Sequence, residues 1–491
     1  MTPNLSNQAH FTTFCRMSKR TKIVATVSDM RCDVEFLTGL YNRGVNVVRL
    51  NTAHQTPDAT IGVIKNIRKV SDKIAILVDT KGPEIRTGPV QKEDIPVKIG
   101  DEFLMRYDGE DVANTREVVQ VNYENFVDDV PVGTTILVDD GYLELTVLEK
   151  TPNGLRVRVE NDGEIKKKKS VNVPGVATNL PSITAKDKAF IEMSIEQGVD
   201  FIAHSFVRSK ADVLAVQKIL DAKGANDIKI IAKIENREGV ENLEEILDVT
   251  YGVMVARGDL GIEIPGEEVP LAQKEMIEAC VRRSKPVITA TQMLESMIKN
   301  PRATRAETSD VANAILDGTD AIMLSGETAY GDYPFAAVET MARIAEYVEA
   351  RMEQKPERVI RIDAERIQSY VAKAAAKSVS ELQVGSIVIP TRTGGTVRQV
   401  SSYRPAAPIY ATCYEPQALR QLALSYGVEA FEIENDVRTE IAKDSIEALI
   451  HDGKLKDEDL VAFIMSTPGS VNGGTNQLEI NTAKAIIETH S

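Results

Sequence analysis

Eight short apolar runs recur along this chain, in two separated stretches and with helical patterns between them. They cover Lys22–Val27, Val45–Asn51, Ala75–Thr80, Phe201–Phe206, Ile228–Glu235, Gly252–Asp259, Pro286–Gln292 and Ala321–Glu327. Between them, Lys186–Gln197, Lys210–Ala222, Pro270–Arg283 and Pro334–Gln354 are amphipathic at helical spacing. Parallel-type strands with helical returns make an α/β fold, and eight of them read as a (β/α)8 TIM barrel. Most runs end in groups suited to chemistry: Arg49 and Asn51, Asp79 and Thr80, Ser205, Lys233 and Glu235, Asp259, Thr291, Ser325 and Glu327. Barrel sites occupy the carboxyl ends of strands, so these groups are expected to converge. Polar residues also simply mark where strands stop, which accounts for one or two ends but hardly for a matched set.

Lys233 is the most informative of these ends. It sits inside the apolar run Ile230–Ile234, where an unpaired ammonium costs several kcal/mol or shifts its pKa by roughly 3–5 units. It must therefore be paired or face a polar cavity. Glu235, two residues on, points to the same side of a strand. Asp259 ends the next run. One cation and two acids at neighbouring strand ends suggest a metal site that handles an anionic substrate.

A length of 491 residues calls for several domains. Between about residues 84 and 180 the period changes to short strands: Glu102–Met105, Glu117–Val121, Thr135–Val138 and Leu155–Val159, punctuated by Gly133, Asp140-Gly141 and Asn153-Gly154 with no helical pattern. This reads as an inserted antiparallel β-barrel domain, placed to act as a lid. After a polar linker at Gln354–Arg361, helix Ile367–Leu382 and strand Ser386–Pro390 open an open α/β sheet domain. The expected division is 1–18 as an N-terminal extension, 19–83 and 181–353 as barrel, 84–180 as lid, and 354–491 as a regulatory domain.

The net charge of −15 argues against nucleic-acid binding, so any basic groups that serve an anion must be concentrated locally. No stretch reaches the roughly 20 apolar residues of a membrane span. Four scattered cysteines form neither a disulfide framework nor a zinc pattern, which suits a reducing cytoplasm.

Several motifs carry two readings on spacing alone. Val78–Gly88 joins barrel to lid, and its Gly82-Pro83 is either a hinge or a solvated turn with local ion pairs. Arg49 can hold phosphate, although a lone Arg at a strand end is more often structural. Lys166–Lys169 is a solvated face or a contact for nucleotide phosphate. Thr291 is equally an N-terminal helix cap. Thr391-Arg392-Thr393-Gly394-Gly395-Thr396 is an ordinary strand–helix turn or a phosphate cradle.

Thr21–Val24, Asp79–Gly88, Ile231–Gly239, Met254–Ile264, Thr289–Met297 and Asp310–Ala329 resemble, in order, the characteristic segments of the pyruvate kinases. The resemblance runs from about Lys22 to the C-terminus. It implies a barrel interrupted by a β lid and followed by an α/β domain, a homotetramer, and a cytoplasmic enzyme of the last step of glycolysis. The implied reaction moves a phosphoryl group from phosphoenolpyruvate to ADP, giving pyruvate and ATP. Lys233 then matches the catalytic lysine, Arg49 the residue that holds the phosphoryl group, and Thr291 the group near the enolate carbon. Glu235 and Asp259 match ligands of Mg2+ (or Mn2+), and amides at Gly258-Asp259 would receive the substrate carboxylate. Arg86 and Lys169 match nucleotide contacts, with Asn51 and His54 in the same region. Asn51, Asp79 and Thr80 match ligands of K+, and the Thr391–Thr396 loop matches the place where a phosphorylated effector binds.

The chain departs from the family in three places. Asn51-Thr52-Ala53-His54 replaces Asn-Phe-Ser-His, so the hydroxyl expected at position 53 is missing. Val27-Ser28-Asp29 stands for Ile-Gly-Pro, and Thr393-Gly394-Gly395 lacks the basic group of a Ser-Gly-Arg or Ser-Gly-Lys core. Glu84 matches the acidic choice that accompanies K+ dependence. Two rival readings are another barrel enzyme acting on phosphoenolpyruvate or an oxoacid, such as a metal-dependent aldolase or lyase, and a catalytically silent sensor on the same fold.

Overall fold

A computed structural model describes residues 19–53, 55–90, 93–109, 112–352, 367–433, 440–466 and 474–490. His54, the 1–18 extension and the Gln354–Arg361 linker lie outside the described residues. Eight parallel strands close into a barrel: β1 (Lys22–Thr26), β2 (Val47–Asn51), β3 (Ala75–Asp79), β4 (Phe201–His204), β5 (Lys229–Ile234), β6 (Gly252–Ala256), β7 (Val287–Ala290) and β8 (Ala321–Leu324). Each pairs with its sequence neighbour, and β1 closes the ring on β8.

Alternation along each strand decides what reaches the interior. Val24, Val47, Leu77, Ala203, Ile231, Met254, Ile288 and Met323 fill the barrel's inner core. Residues between them, such as Val48, Val78, Ile202 and Ala232, pack outward against the helices. The period then carries Arg49, Asp79, Ser205, Lys233 and Glu235 to the inner side at the carboxyl mouth.

The mouth differs from the sequence expectation at two strand ends. The sixth run stops being a strand at Ala256, and Arg257–Glu263 is a helix, so Asp259 sits in a first helical turn. The eighth stops at Leu324, and Glu327 lies in the short helix Gly326–Ala329. There Glu327 is buried and accepts N–H bonds from Leu294 and Ser325. It closes loops and does not face the mouth's cations.

The inserted segment forms a six-stranded sheet, antiparallel except for one parallel pair between Glu102–Arg106 and Val118–Gln120, and a separate two-stranded piece. It contains a nine-residue strand, Leu143–Thr151, and a four-residue helix, Phe126–Asp129, where no helix was expected. The C-terminal sheet runs Val428–Glu432, Ile409–Cys413, Ser386–Thr391, Leu460–Met465, Gln477–Thr482, with only the last strand antiparallel.

This last domain seals the barrel's amino end. Leu424 enters the inner core, and two buried aspartates just before barrel strands each receive one of its arginines. Asp200 meets Arg420 at 2.6 Å, and Asp320 meets Arg404 at 3.0 Å.

His204, on the outer side of β4, is buried, and neither ring nitrogen has a partner among the described residues. Burial pulls its pKa down to about 4. The unfolded imidazole protonates near 6.5, so this contribution to stability is complete above that pH and is lost as pH falls towards 4. The loss should reach roughly 3 kcal/mol. Denaturant unfolding at stepped pH should show a shallower acid decline for His204→Leu than for the parent; identical slopes would count against this assignment.

Candidate active site

Lys233 projects from β5 into a ring of oxygens. Its Nζ lies 2.8 Å from Glu235, 3.2 Å from Asp79 and 2.7 Å from the Ser205 hydroxyl. Burial alone would lower its pKa, but the charges of Asp79 and Glu235 outweigh it and hold the ammonium charged, above its ordinary value. Arg49 does not stand free at its strand end: Nε bonds Asp79 at 2.6 Å and Nη1 bonds the Thr26 hydroxyl at 3.0 Å. Asp79 is pushed up by burial, yet Arg49 and Lys233 together bring it below the usual carboxylate range. The register explains the pairing, because Arg49, Leu50 and Asn51 on β2 lie beside Leu77, Val78 and Asp79 on β3.

Glu235 accepts the Phe206 backbone N–H at 2.6 Å and shares a hydrogen bond with Asp259. Both carboxyls are raised above their ordinary pKa values, first by burial and, for Glu235, also by the charge of Asp259. Two adjacent acids whose like charges repel are a donor set that a hard divalent cation relieves. Among the described residues no group of three such side chains could hold a metal alone, so substrate oxygens or water must complete any shell. The residues fit Mg2+ or Mn2+ on those terms.

Thr291 is not a helix cap. It follows β7 with φ +65, and its hydroxyl accepts the Gly258 N–H at 2.7 Å while donating to the Ala290 carbonyl. That bond ties β7 to the helix after β6 and removes the Gly258 amide from the set expected to receive a carboxylate. The other N–H groups of the first turn remain without intrahelical partners. Arg257 locks the same corner and was not foreseen. It donates to the carbonyls of Ala290 and Thr291 and pairs with Asp310 at 2.6 Å. Its position directly before Gly258-Asp259 was the available signal.

The expected K+ ligands do come together, since Asn51 and Asp79 are register partners and Thr80 follows. Each oxygen already has a bond. Asn51 accepts from Ala53 N, Thr80 Oγ1 accepts from Ser205 N, and Asp79 is held by Arg49 and Lys233. Carboxylate, amide and hydroxyl oxygens keep further lone pairs, so the set retains capacity for a cation.

The lid stands over this mouth. Gly82 adopts φ +71, and a Cβ there would come within 2.8 Å of Phe206 and Ser205. Asp187 accepts the N–H groups of Lys81 and Gly82 while closing a capping box with Thr184. Both lid connections are thus pinned by one buried carboxylate that the sequence reading missed. A cleft of about 470 Å³ lies between lid and barrel, lined by Arg86, Lys169, Phe206 and Asp259 among others. Arg86 is held by Glu84 at 2.8 Å and Lys169 by Asp139 at 2.8 Å. In the last domain, Thr391–Thr396 turns from a strand into helix Gly395–Ser402, with Gly394 at φ +74 and its N–H on the Thr391 hydroxyl.

A (β/α)8 barrel whose mouth gathers fixed cations and two adjacent carboxyls beneath a lid has the build of an enzyme that handles anionic substrates. Residues 18–338 match the model of the pyruvate kinase barrel domain, and 369–481 that of the pyruvate kinase alpha/beta domain. A pyruvate kinase of Borreliella burgdorferi is 48% identical over 96% of this chain and 99% of its own length. Those of Bacillus licheniformis and Geobacillus stearothermophilus are 46% and 45% identical, each over 96% of this chain and 81% of the relative. The chain belongs to the pyruvate kinase family and is a phosphotransferase.

Proposed function

We propose that this chain moves the phosphoryl group of phosphoenolpyruvate to ADP at the barrel mouth. The P–O bond to the enol oxygen breaks, a P–O bond to the β-phosphate of ADP forms, and the enolate takes a proton at carbon to give pyruvate. The observation that carries this reading is Lys233, held charged among Asp79, Glu235 and Ser205 within 3.2 Å. Glu235 in turn accepts the N–H of Phe206, which lines the cleft that bears Asp259, Arg86 and Lys169.

Such a transfer needs positioning and charge neutralisation rather than a covalent nucleophile. Lys233 and Arg49 supply fixed positive charge to the migrating group, with Asp79 orienting both. Glu235 and Asp259 would hold Mg2+ or Mn2+, which supplies further neutralisation of phosphoryl oxygens. Thr291 holds a hydroxyl where the enolate carbon would stand. Arg86 and Lys169, with Asn51 and His54 in the same role, would take nucleotide phosphates as the lid, residues 84–180, closes and excludes water. Asn51, Asp79 and Thr80 would hold K+. A cytoplasmic homotetramer, with a phosphorylated effector at Thr391–Thr396 of the regulatory domain, completes the reading.

A coupled assay for pyruvate from phosphoenolpyruvate plus ADP, with Mg2+ and K+, tests it. A barrel aldolase or lyase would not consume ADP, and a silent sensor would form no pyruvate. Replacing K+ by a bulky organic cation should depress turnover. Undiminished turnover would refute the K+ assignment and leave the rest standing.

A further inference from the structure

Among the described residues, one side-chain bond joins the body of the lid to the barrel. Asn172 Nδ2 donates to Glu263 Oε1 at 2.9 Å. The other polar contacts that cross end on the lid's two connections. Lys81 reaches Glu84 at 3.5 Å, and Arg208 donates to the carbonyls of Thr178 and Leu180. Those bonds hold the lid at its attachment, not over the mouth.

Both ends of the Asn172–Glu263 bond are tied to groups already assigned at the mouth. Glu263 closes the helix Arg257–Glu263 one turn after Asp259, so the two carboxyls share a helix face. Asn172 ends the lid strand Val171–Asn172. The residues before it form a ladder with the lid's first connection. Val171 donates its N–H to the Ile85 carbonyl at 2.8 Å, Ser170 pairs with Arg86, and Thr87 donates its N–H to the Lys169 carbonyl at 2.8 Å. Arg86 and Lys169 therefore sit on one stiff strip that ends at Asn172.

The bond is balanced rather than tight. A carboxylate at the last residue of a helix meets the negative end of its dipole. Burial does most to raise the Glu263 pKa, the Asn172 N–H opposes it, and the charges of Asp259 and Glu238 add to the rise. On the lid side, Asn172 Oδ1 is buried without a partner among the described residues. Water would satisfy both groups once the lid lifts. One charge-assisted bond is thus set against two desolvated oxygens, a balance that a bound nucleotide can tip.

We propose that Asn172 and Glu263 are positioning residues for the nucleotide: their bond sets the closed height of the lid and so brings Arg86 and Lys169 over the mouth. The inference rests on the reading of the mouth as a phosphoryl-transfer site. Neither side chain needs to touch a reacting atom. A ligand that binds productively to one lid position has an apparent affinity scaled by that position's population. Phosphoenolpyruvate, held from the barrel by Lys233 and Arg49, is not subject to that scaling.

Steady-state kinetics of Asn172→Ala, Glu263→Ala and the double variant test it. Each single variant should raise the KM for ADP by about 3- to 10-fold, with kcat and the KM for phosphoenolpyruvate little changed. The double variant should be no worse than either single one, because the bond can be lost only once. Glu263→Gln keeps an acceptor and should recover most of the loss. If Glu263 acted instead on the metal through Asp259, the two losses would multiply. Unchanged KM for ADP, equal rises for both substrates, or losses that multiply would overturn the proposal. Hydrogen exchange of the ligand-free chain reads the same bond without activity. Both single alanine variants should exchange faster over residues 170–176, with Lys229–Ile234 unchanged. Equal protection in parent and variants would also overturn the proposal, whereas an inactive parent that shows the exchange difference would sink only the reading of the mouth.

Discussion

Lys233→Met should lower pyruvate formation by about 10³-fold or more, at the upper end of what removing one preorganised charge costs. Two losses combine. The ammonium no longer faces the migrating phosphoryl group, and its three oxygen partners lose their shared counter-charge. Asp79 keeps Arg49 at 2.6 Å, but Glu235 is left beside Asp259, so its pKa must move still higher and its carboxylate must hold a proton more often. The variant should therefore also bind divalent cations less well at neutral pH. Steady-state assays alongside circular dichroism check this, since the β5 core around Ile231 and Ile234 is unaltered. Turnover within 10-fold of the parent, in a folded variant, would remove Lys233 from the chemistry.

Asp320→Ala should cost the most stability, about 3–5 kcal/mol. Asp320 is buried between barrel and last domain. It takes both Arg404 amino groups at 3.0 Å, the Tyr426 N–H at 3.1 Å and the Val287 N–H at 3.2 Å. Removing it strands a guanidinium whose side chain is 8% exposed, packed over the Tyr426 ring. The stranded charge, more than the lost attraction, sets the cost. Replacing both partners, Asp320→Leu with Arg404→Met, should therefore recover much of the loss. Scanning calorimetry of the single and double variants decides: equal destabilisation in both would show that the charge is not what matters.

Where the sequence was legible, periodicity was the reason. Inner and outer residues alternate without interruption along Ile230–Glu235 and Ala75–Asp79, so the barrel and the direction of Lys233, Glu235 and Asp79 followed from spacing. Strand ends were legible as a set but not one by one. Nothing local distinguishes Asp259, in the first turn of a helix, from Glu235, on a strand extension, because both follow an apolar run. The Arg49–Asp79 bond depends on register between two strands, and the Thr291–Gly258 bond on a left-handed turn; neither leaves a mark in composition. The strand Leu143–Thr151 was missed because its exposed face is charged and it follows a turn at Asp139–Gly141. The floor of the barrel was the least legible part. Asp200, Asp320, Arg404 and Leu424 meet across long stretches of chain, and only the folded chain shows that the last domain plugs the first.

The central claim is that Glu235 and Asp259 jointly hold one divalent ion beside Lys233. Titration of the chain with Mn2+, followed by electron paramagnetic resonance, reads that ion directly. The account predicts one Mn2+ bound tightly per chain, and loss of that ion in both Glu235→Gln and Asp259→Asn. Retention of the same bound ion in either folded variant would contradict it.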